Sequence, residues 1–173
     1  MYENLFKIAI ILSFTLSLFL SGCQNTSGPA TAPAINLSET AIVDGYLSAI
    51  DLVFNTSPEM NKGLKYLAID TSTLTNLNEV ERTNLIEGLN TYNLEILNAS
   101  FEELQQQGLV SDTVFENGIF LKIEDAPFVN GQIQITPSKW HSTTYAAGLS
   151  KVILTLNANN TWDITDSGIA WKQ

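Results

Sequence analysis

The chain has 173 residues, with 8 Lys and Arg against 18 Asp and Glu, a net charge of -10, one His and one Cys. Such an acidic balance works against nucleic acid and against docking on an anionic lipid surface. With a single Cys there is no internal disulfide, so packing alone must hold the fold, and the usual clustered ligands of a metal site are missing.

The first element is apolar. After "MYENLFK", residues Ile8 to Leu20 carry no charge and no Gly or Pro, and Leu20-Ser21-Gly22 then narrows to small side chains before Cys23. The run has the length of a signal-peptide core and is short of the roughly 20 residues that cross a bilayer as a helix. Leu20-Ser21-Gly22-Cys23 resembles the lipobox of bacterial lipoproteins. That resemblance implies a diacylglyceryl group on the Cys23 sulfur and cleavage between Gly22 and Cys23. It therefore implies a signal peptide over residues 1–22 and a lipid-anchored protein on the extracytoplasmic face of the cell membrane. Two acyl chains suffice for durable anchoring, at about 0.8 kcal/mol per buried methylene. Lys7 and Glu3 depart together, so cleavage leaves the net charge unchanged. "TLSLFLSG" is also similar to the short apolar peptides, cut from lipoprotein signal sequences, that act as mating pheromones in some Gram-positive bacteria.

Residues 23–35, rich in Ser, Thr, Ala, Pro and Gly, read as the lipidated N-terminus and a flexible tether. A single α+β domain is expected over residues 36–173. Its first helix opens with Asn36 and Glu39 in capping-box spacing, and Ile42, Val43, Tyr46, Leu47, Ile50, Val53 and Phe54 form one apolar stripe. Asp44, Ser48 and Asp51 fall on the opposite side. "LKYLAIDTSTL" fits a short helix or extended chain equally. Asn78 with Glu81 opens a second helix striped by Leu85, Ile86 and Leu89. Ser100 with Glu103 opens a third, stopped by Gly108.

The back half changes period. Asn117-Gly118, Asn130-Gly131 and Asn159-Asn160 mark turns between runs that alternate: Ile119, Leu121 and Ile123; Ile133 and Ile135; Val152, Leu154 and Leu156; Trp162 and Ile164. This order predicts N-terminal helices packed on one face of a four-stranded antiparallel, curved meander sheet. Pro137 places its strand at an edge or at a bend.

No catalytic constellation is legible, and no cofactor is expected. His141 is the only candidate base for a serine nucleophile. Ser138 and Ser142 flank it, but the G-x-S-x-G elbow is absent. "DITDSG" lacks the closing Glu of a calcium loop, and no Gly-rich phosphate cradle occurs. Glu102-Glu103 suit a helix start, while Glu124-Asp125 end a strand without a visible partner. The aromatic residues Trp140, Tyr145, Trp162 and Trp171 could line a pocket on a concave sheet face for an apolar or sugar-like ligand. Lys139, Trp140, His141, Tyr145, Trp162 and Trp171 are accordingly the candidate contact residues for a protein or small apolar ligand.

"NGIFLKIEDAPFVNGQIQITPSKWHS" and the terminal "TWDITDSGIAW" resemble a group of small, uncharacterised lipoproteins of Gram-positive bacteria. The likeness runs from about Leu64 to the end and is most specific at Ser138-Lys139-Trp140 and Ile169-Ala170-Trp171. His141 departs from the group, which often has Arg there, and Tyr145-Ala146-Ala147-Gly148 departs from its Gly-rich stretch. The resemblance implies a fold and no activity. Helices followed by a curved sheet are also similar to nuclear-transport-factor-like and cystatin-like domains, which host enzymes, ligand carriers and binders alike. The leading expectation is a membrane-anchored, non-catalytic binding or interaction module. A small-pocket enzyme using Glu124, Asp125 or His141 as acid or base is the alternative.

Overall fold

The computed structural model describes residues 39–173; the lipobox, the tether and the Asn36 cap lie outside the described residues. Helix α1 spans Glu39–Asn55. Its stripe is buried at Ile42, Val43, Tyr46, Ile50 and Val53, while Asp44, Ser48 and Asp51 face solvent. Gly45 lets the helix seat tightly, because a Cβ there would lie 2.9 Å from the Trp162 Cβ. A 3-10 turn, Pro58–Asn61, follows.

Extended strand β1 (Tyr66–Ile69) resolves the ambiguity of "LKYLAIDTSTL", and a 3-10 turn at Thr71–Thr73 follows it. Helix α2 (Glu79–Leu89) starts at the expected capping box, with the Asn78 side chain accepting from the Glu81 N–H and the Glu81 carboxylate from the Asn78 N–H. Strand β2 (Glu95–Asn98) precedes helix α3 (Phe101–Gln106), which has its own Ser100–Glu103 capping box. Gly108 takes a φ of 72° just past the helix, a left-handed position that suits glycine.

The remaining strands are β3 (Gly118–Asp125), β4 (Gln132–Ser142), β5 (Tyr145–Leu149), β6 (Val152–Leu156), β7 (Trp162–Asp166) and β8 (Ala170–Lys172). They build one open, mixed sheet of eight strands, ordered β2-β1-β3-β4-β5-β8, with β6 also pairing with β4 and β7 pairing with β6. The fold is α+β, but the expected four-stranded antiparallel meander is incomplete. Strands β1 and β2 pair in parallel, and β1 also runs parallel to β3. Strand β1 escapes a period-2 reading because a parallel strand covered on both faces shows an unbroken apolar run, here Leu67-Ala68-Ile69, and β2, four residues at the sheet edge, is too short to show a period.

The meander itself divides along β4. Residues 138–142 of β4 pair with β5, and residues 132–135 pair with β6. Pro137 falls in the gap between them. Ala126 N–H donates to the Gln134 carbonyl, which puts the even β4 positions in the hydrogen-bonded pairs with β3. The ring nitrogen of Pro137 then faces the gap, where no strand needs a donor. Pro137 thus sits in an interior strand, at the gap between its β5 and β6 partners.

A second correction concerns the helices, which do not all cover one face. Leu67, Ile69, Ile119, Leu121, Ile133 and Ile135 join α1 and α2 in the main core. The alternate residues Tyr66, Ala68 and Phe120 pack on the opposite face with Leu104 of α3, Val110 and Phe115 in a smaller core. Each fully buried Leu or Ile contributes about 2 kcal/mol. Helix α3 is one and a half turns long, so it covers only the β1–β3 end of that second face.

Candidate functional site

Where α3 stops, the sheet stays bare. Cross-strand register puts Phe120, Trp140 and Ala146 in one row. Lys122, Ser138, Gly148 and Trp171 form the next. Phe101, the first residue of α3, meets Phe120 edge-on at 5.8 Å and Trp140 at 5.1 Å between ring centroids. Trp171 lies over Gly148, so closely that a Cβ there would come within 2.6 Å of its ring. Trp171 is 40 % exposed, and Ile169, just ahead of β8, is 76 % exposed.

These side chains line a shallow hollow of about 470 Å³ with Phe101, Phe120, Trp140, Ala146 and Trp171 as its apolar floor. A neighbouring hollow of about 420 Å³ shares Phe101, Phe120 and Lys122 and adds Asp70, Glu102 and Glu124. Together they form one groove with an aromatic floor. Its acidic lining residues are Glu102, Glu124, Asp70, Asp112 and Asp125, of which Asp125 has its carboxylate engaged by Tyr46, Thr75 and Asn76. The Lys122 ammonium is held by Glu124 at 2.7 Å.

Only two of the six candidate contact residues, Trp140 and Trp171, have side chains on this face. Lys139 is fully buried on the opposite one. Its ammonium donates to the carbonyls of Phe54 at 2.7 Å and Ser57 at 3.1 Å, and to the Asn61 side chain at 2.9 Å. Helix α1 has no basic residue in its own last turn, so a lysine from the sheet satisfies its terminal carbonyl groups. Burial pulls the Lys139 pKa down to about 8, against the pull of Glu59 in the other direction. Trp162 is packed in the main core and meets Phe128 edge-on. The Nδ1 of His141 lies 2.9 Å from the Gly118 carbonyl, and the ring stands edge-on to Tyr145.

The acids proposed for the enzyme alternative have other attachments. Burial works to raise the Asp125 carboxyl, but hydrogen bonds from Tyr46, the Thr75 and Asn76 backbone and the Asn76 side chain outweigh it and hold the group below its ordinary value. Tyr46 donates to it at 2.5 Å and the Asn76 amide at 2.8 Å. Burial first, and then the Asp125 bond, push the Tyr46 hydroxyl far upward. This knot ties α1 and the β1–α2 connection to the end of β3. Glu124 does border the groove, in its ion pair with Lys122.

A more polar cleft lies at the carboxyl ends of β1 and β2, among Asp70, Ser72, Arg82, Asn98, Ser100 and Glu103. Its polar groups are largely used within the chain. Asn98 accepts from Thr71, Asp70 from Ser72, and Glu103 from Ser100. Arg82 donates to the Leu74 carbonyl. Among the described residues no group of three His, Cys, Asp or Glu is placed to hold a metal ion.

Sequence reasoning missed Phe101 and Phe120. The signal for Phe120 was present: Ile119-Phe120-Leu121 breaks the alternation, as a strand apolar on both faces must. Phe101 reads as an ordinary helix start, and only the sheet beneath reveals its role. Comparison with known proteins finds no matching family, no matching curated protein and no matching solved structure.

Proposed function

We propose that the protein is a membrane-anchored extracytoplasmic lipoprotein whose α+β domain is a non-catalytic binding module. Anchoring rests on Leu20-Ser21-Gly22-Cys23, with the diacylglyceryl group on Cys23. Kinship with the small Gram-positive lipoproteins belongs to the same proposal.

The observation that carries the binding role is the solvent-open aromatic groove between α3 and β8. An exposed apolar patch rimmed by polar residues marks an interaction site more often than a structural surface does. Trp and Tyr rings also contribute large contact area at small entropic cost. The groove brings together aromatic rings and acids, with no nucleophile–base pair in view. Binding therefore fits these groups better than turnover.

Crosslinking in intact cells tests this reading. Photo-crosslinker placed at Ser138, beside both tryptophans, is expected to capture a specific adduct. That adduct is expected to disappear in Trp171→Ala and to be lost from the membrane fraction in Cys23→Ala. Adducts that are unchanged in Trp171→Ala would refute the use of this face.

A further inference from the structure

We infer that the occupant of the groove is an extended, basic polypeptide segment; this deepens the binding-module reading and rests on it. Charge complementarity carries the inference. Asp70, Glu102, Asp112 and Glu124 border the two hollows, against Lys122, whose ammonium Glu124 already engages. Lys139 also borders the groove, but its ammonium is directed to the other face, where it donates to the carbonyls of Phe54 in the last turn of α1 and of Ser57 just beyond it. The whole chain carries -10. A cation arriving here therefore meets carboxylates at the rim and ring faces on the floor, and both attract it. An acidic partner would be repelled by both.

The shape favours an extended chain. From β3 across β4 and β5 to β8 is three strand spacings, about 14 Å, which roughly four extended residues span. Ala146 offers only a methyl between Trp140 and the Trp171 ring that covers Gly148, so a chain crossing there meets the two rings with no tall side chain between them. Alternate side chains would then point down at the rings, while the others reach the flanking carboxylates.

The test uses the full chain in a polyoxyethylene detergent, with tryptophan fluorescence as the readout. The probes are a hexapeptide of alternating Arg and Leu, its counterpart with Glu for Arg, and a neutral β-linked glucose tetramer. The Arg peptide is expected to bind, the Glu peptide not. Binding is expected to weaken about tenfold in Trp171→Ala, an exposed position, as for an interface hot spot. Glu102→Gln with Glu124→Gln should weaken it about fivefold, and raising salt from about 50 to about 500 mM should weaken it further.

The inference falls if the Arg peptide fails to bind or the Glu peptide binds equally well. It also falls if binding is indifferent to Trp171→Ala, the mark of diffuse attraction to an acidic protein. If the glucose tetramer alone binds, and Trp171→Ala abolishes it, the basic-segment inference is overturned while the binding face stands. If no probe binds and the intact-cell crosslink is also absent, both are overturned.

Discussion

Lys139 sits in β4 between two outward-facing residues, yet its own side chain closes the end of α1 with three hydrogen bonds. Replacing it by Met would leave the Phe54 and Ser57 carbonyls without this donor. Lys139→Met is expected to lose about 2 kcal/mol in a denaturant titration, the cost of leaving buried acceptors unmade. The lysine also carries a pH signature. Its folded pKa of about 8 lies below the ordinary lysine value, so above pH 8 the unfolded chain holds more protons. Its contribution to stability therefore rises from about pH 8 toward pH 10, and that rise should vanish in Lys139→Met. Tyr46 acts in the opposite sense. Its folded pKa is raised, so its contribution is complete below the unfolded tyrosine value and declines above it.

Asp125 gives the acid limb. Its folded pKa is depressed, so its contribution is present above the unfolded carboxyl pKa of about 3.9 and fades as the pH falls through the folded value. Asp125→Asn is expected to flatten the loss of stability below about pH 4, measured by urea unfolding at several pH values.

Two helices show how local chemistry and long-range contacts divide the labour at the scale of the element. Helix α2 starts itself: Asn78 and Glu81 satisfy one another's backbone N–H groups within four residues of chain. Asn78→Ala is expected to cost about 1 kcal/mol in chemical denaturation with the sheet unchanged. The end of α1 instead depends on a residue far along the chain. The strands divide similarly. Strand β3 shows its core-facing period at Ile119, Leu121 and Ile123 in spite of Phe120, whereas β1 and β2 are each four residues long and acquire their identity from pairing, β1 between β2 and β3 and β2 at the edge beside β1. Pro137 joins the two classes. Its inability to donate is local, and its placement opposite the β5–β6 gap is tertiary.

For the whole molecule, the consequence is a two-faced sheet with unequal cover. One face carries α1, α2 and the main core; the other carries short α3 at one end and an aromatic groove over the rest. Among the described residues no helix is long and apolar enough to cross a membrane. Attachment in the proposed reading rests on the diacylglyceryl group at Cys23. Cys23→Ala is expected to move the bulk of the protein from the membrane pellet to the soluble fraction or the medium, followed by immunoblotting after ultracentrifugation. Retention in the pellet would count against the lipid anchor.

Reading the chain alone was enough to establish the α+β class, the starts of α2 and α3, the apolar stripe of α1 and the Asn130-Gly131 turn. Each of these depends on residues within a few positions of one another, where spacing and side-chain type decide the geometry. The lipobox is a local pattern too, carried by the four adjacent residues Leu20-Ser21-Gly22-Cys23. Tertiary structure decided the rest. It added the parallel pair β1–β2, split the meander at Pro137, and moved α3 to the far face. It also separated six candidate residues into two tryptophans on an open groove, a lysine under a helix end, a core tryptophan and a His–Tyr pair. Which face a side chain takes depends on register, and register is set by pairing between segments far apart in sequence. Adjacent residues such as Lys139 and Trp140 therefore look alike in one dimension and part company in three.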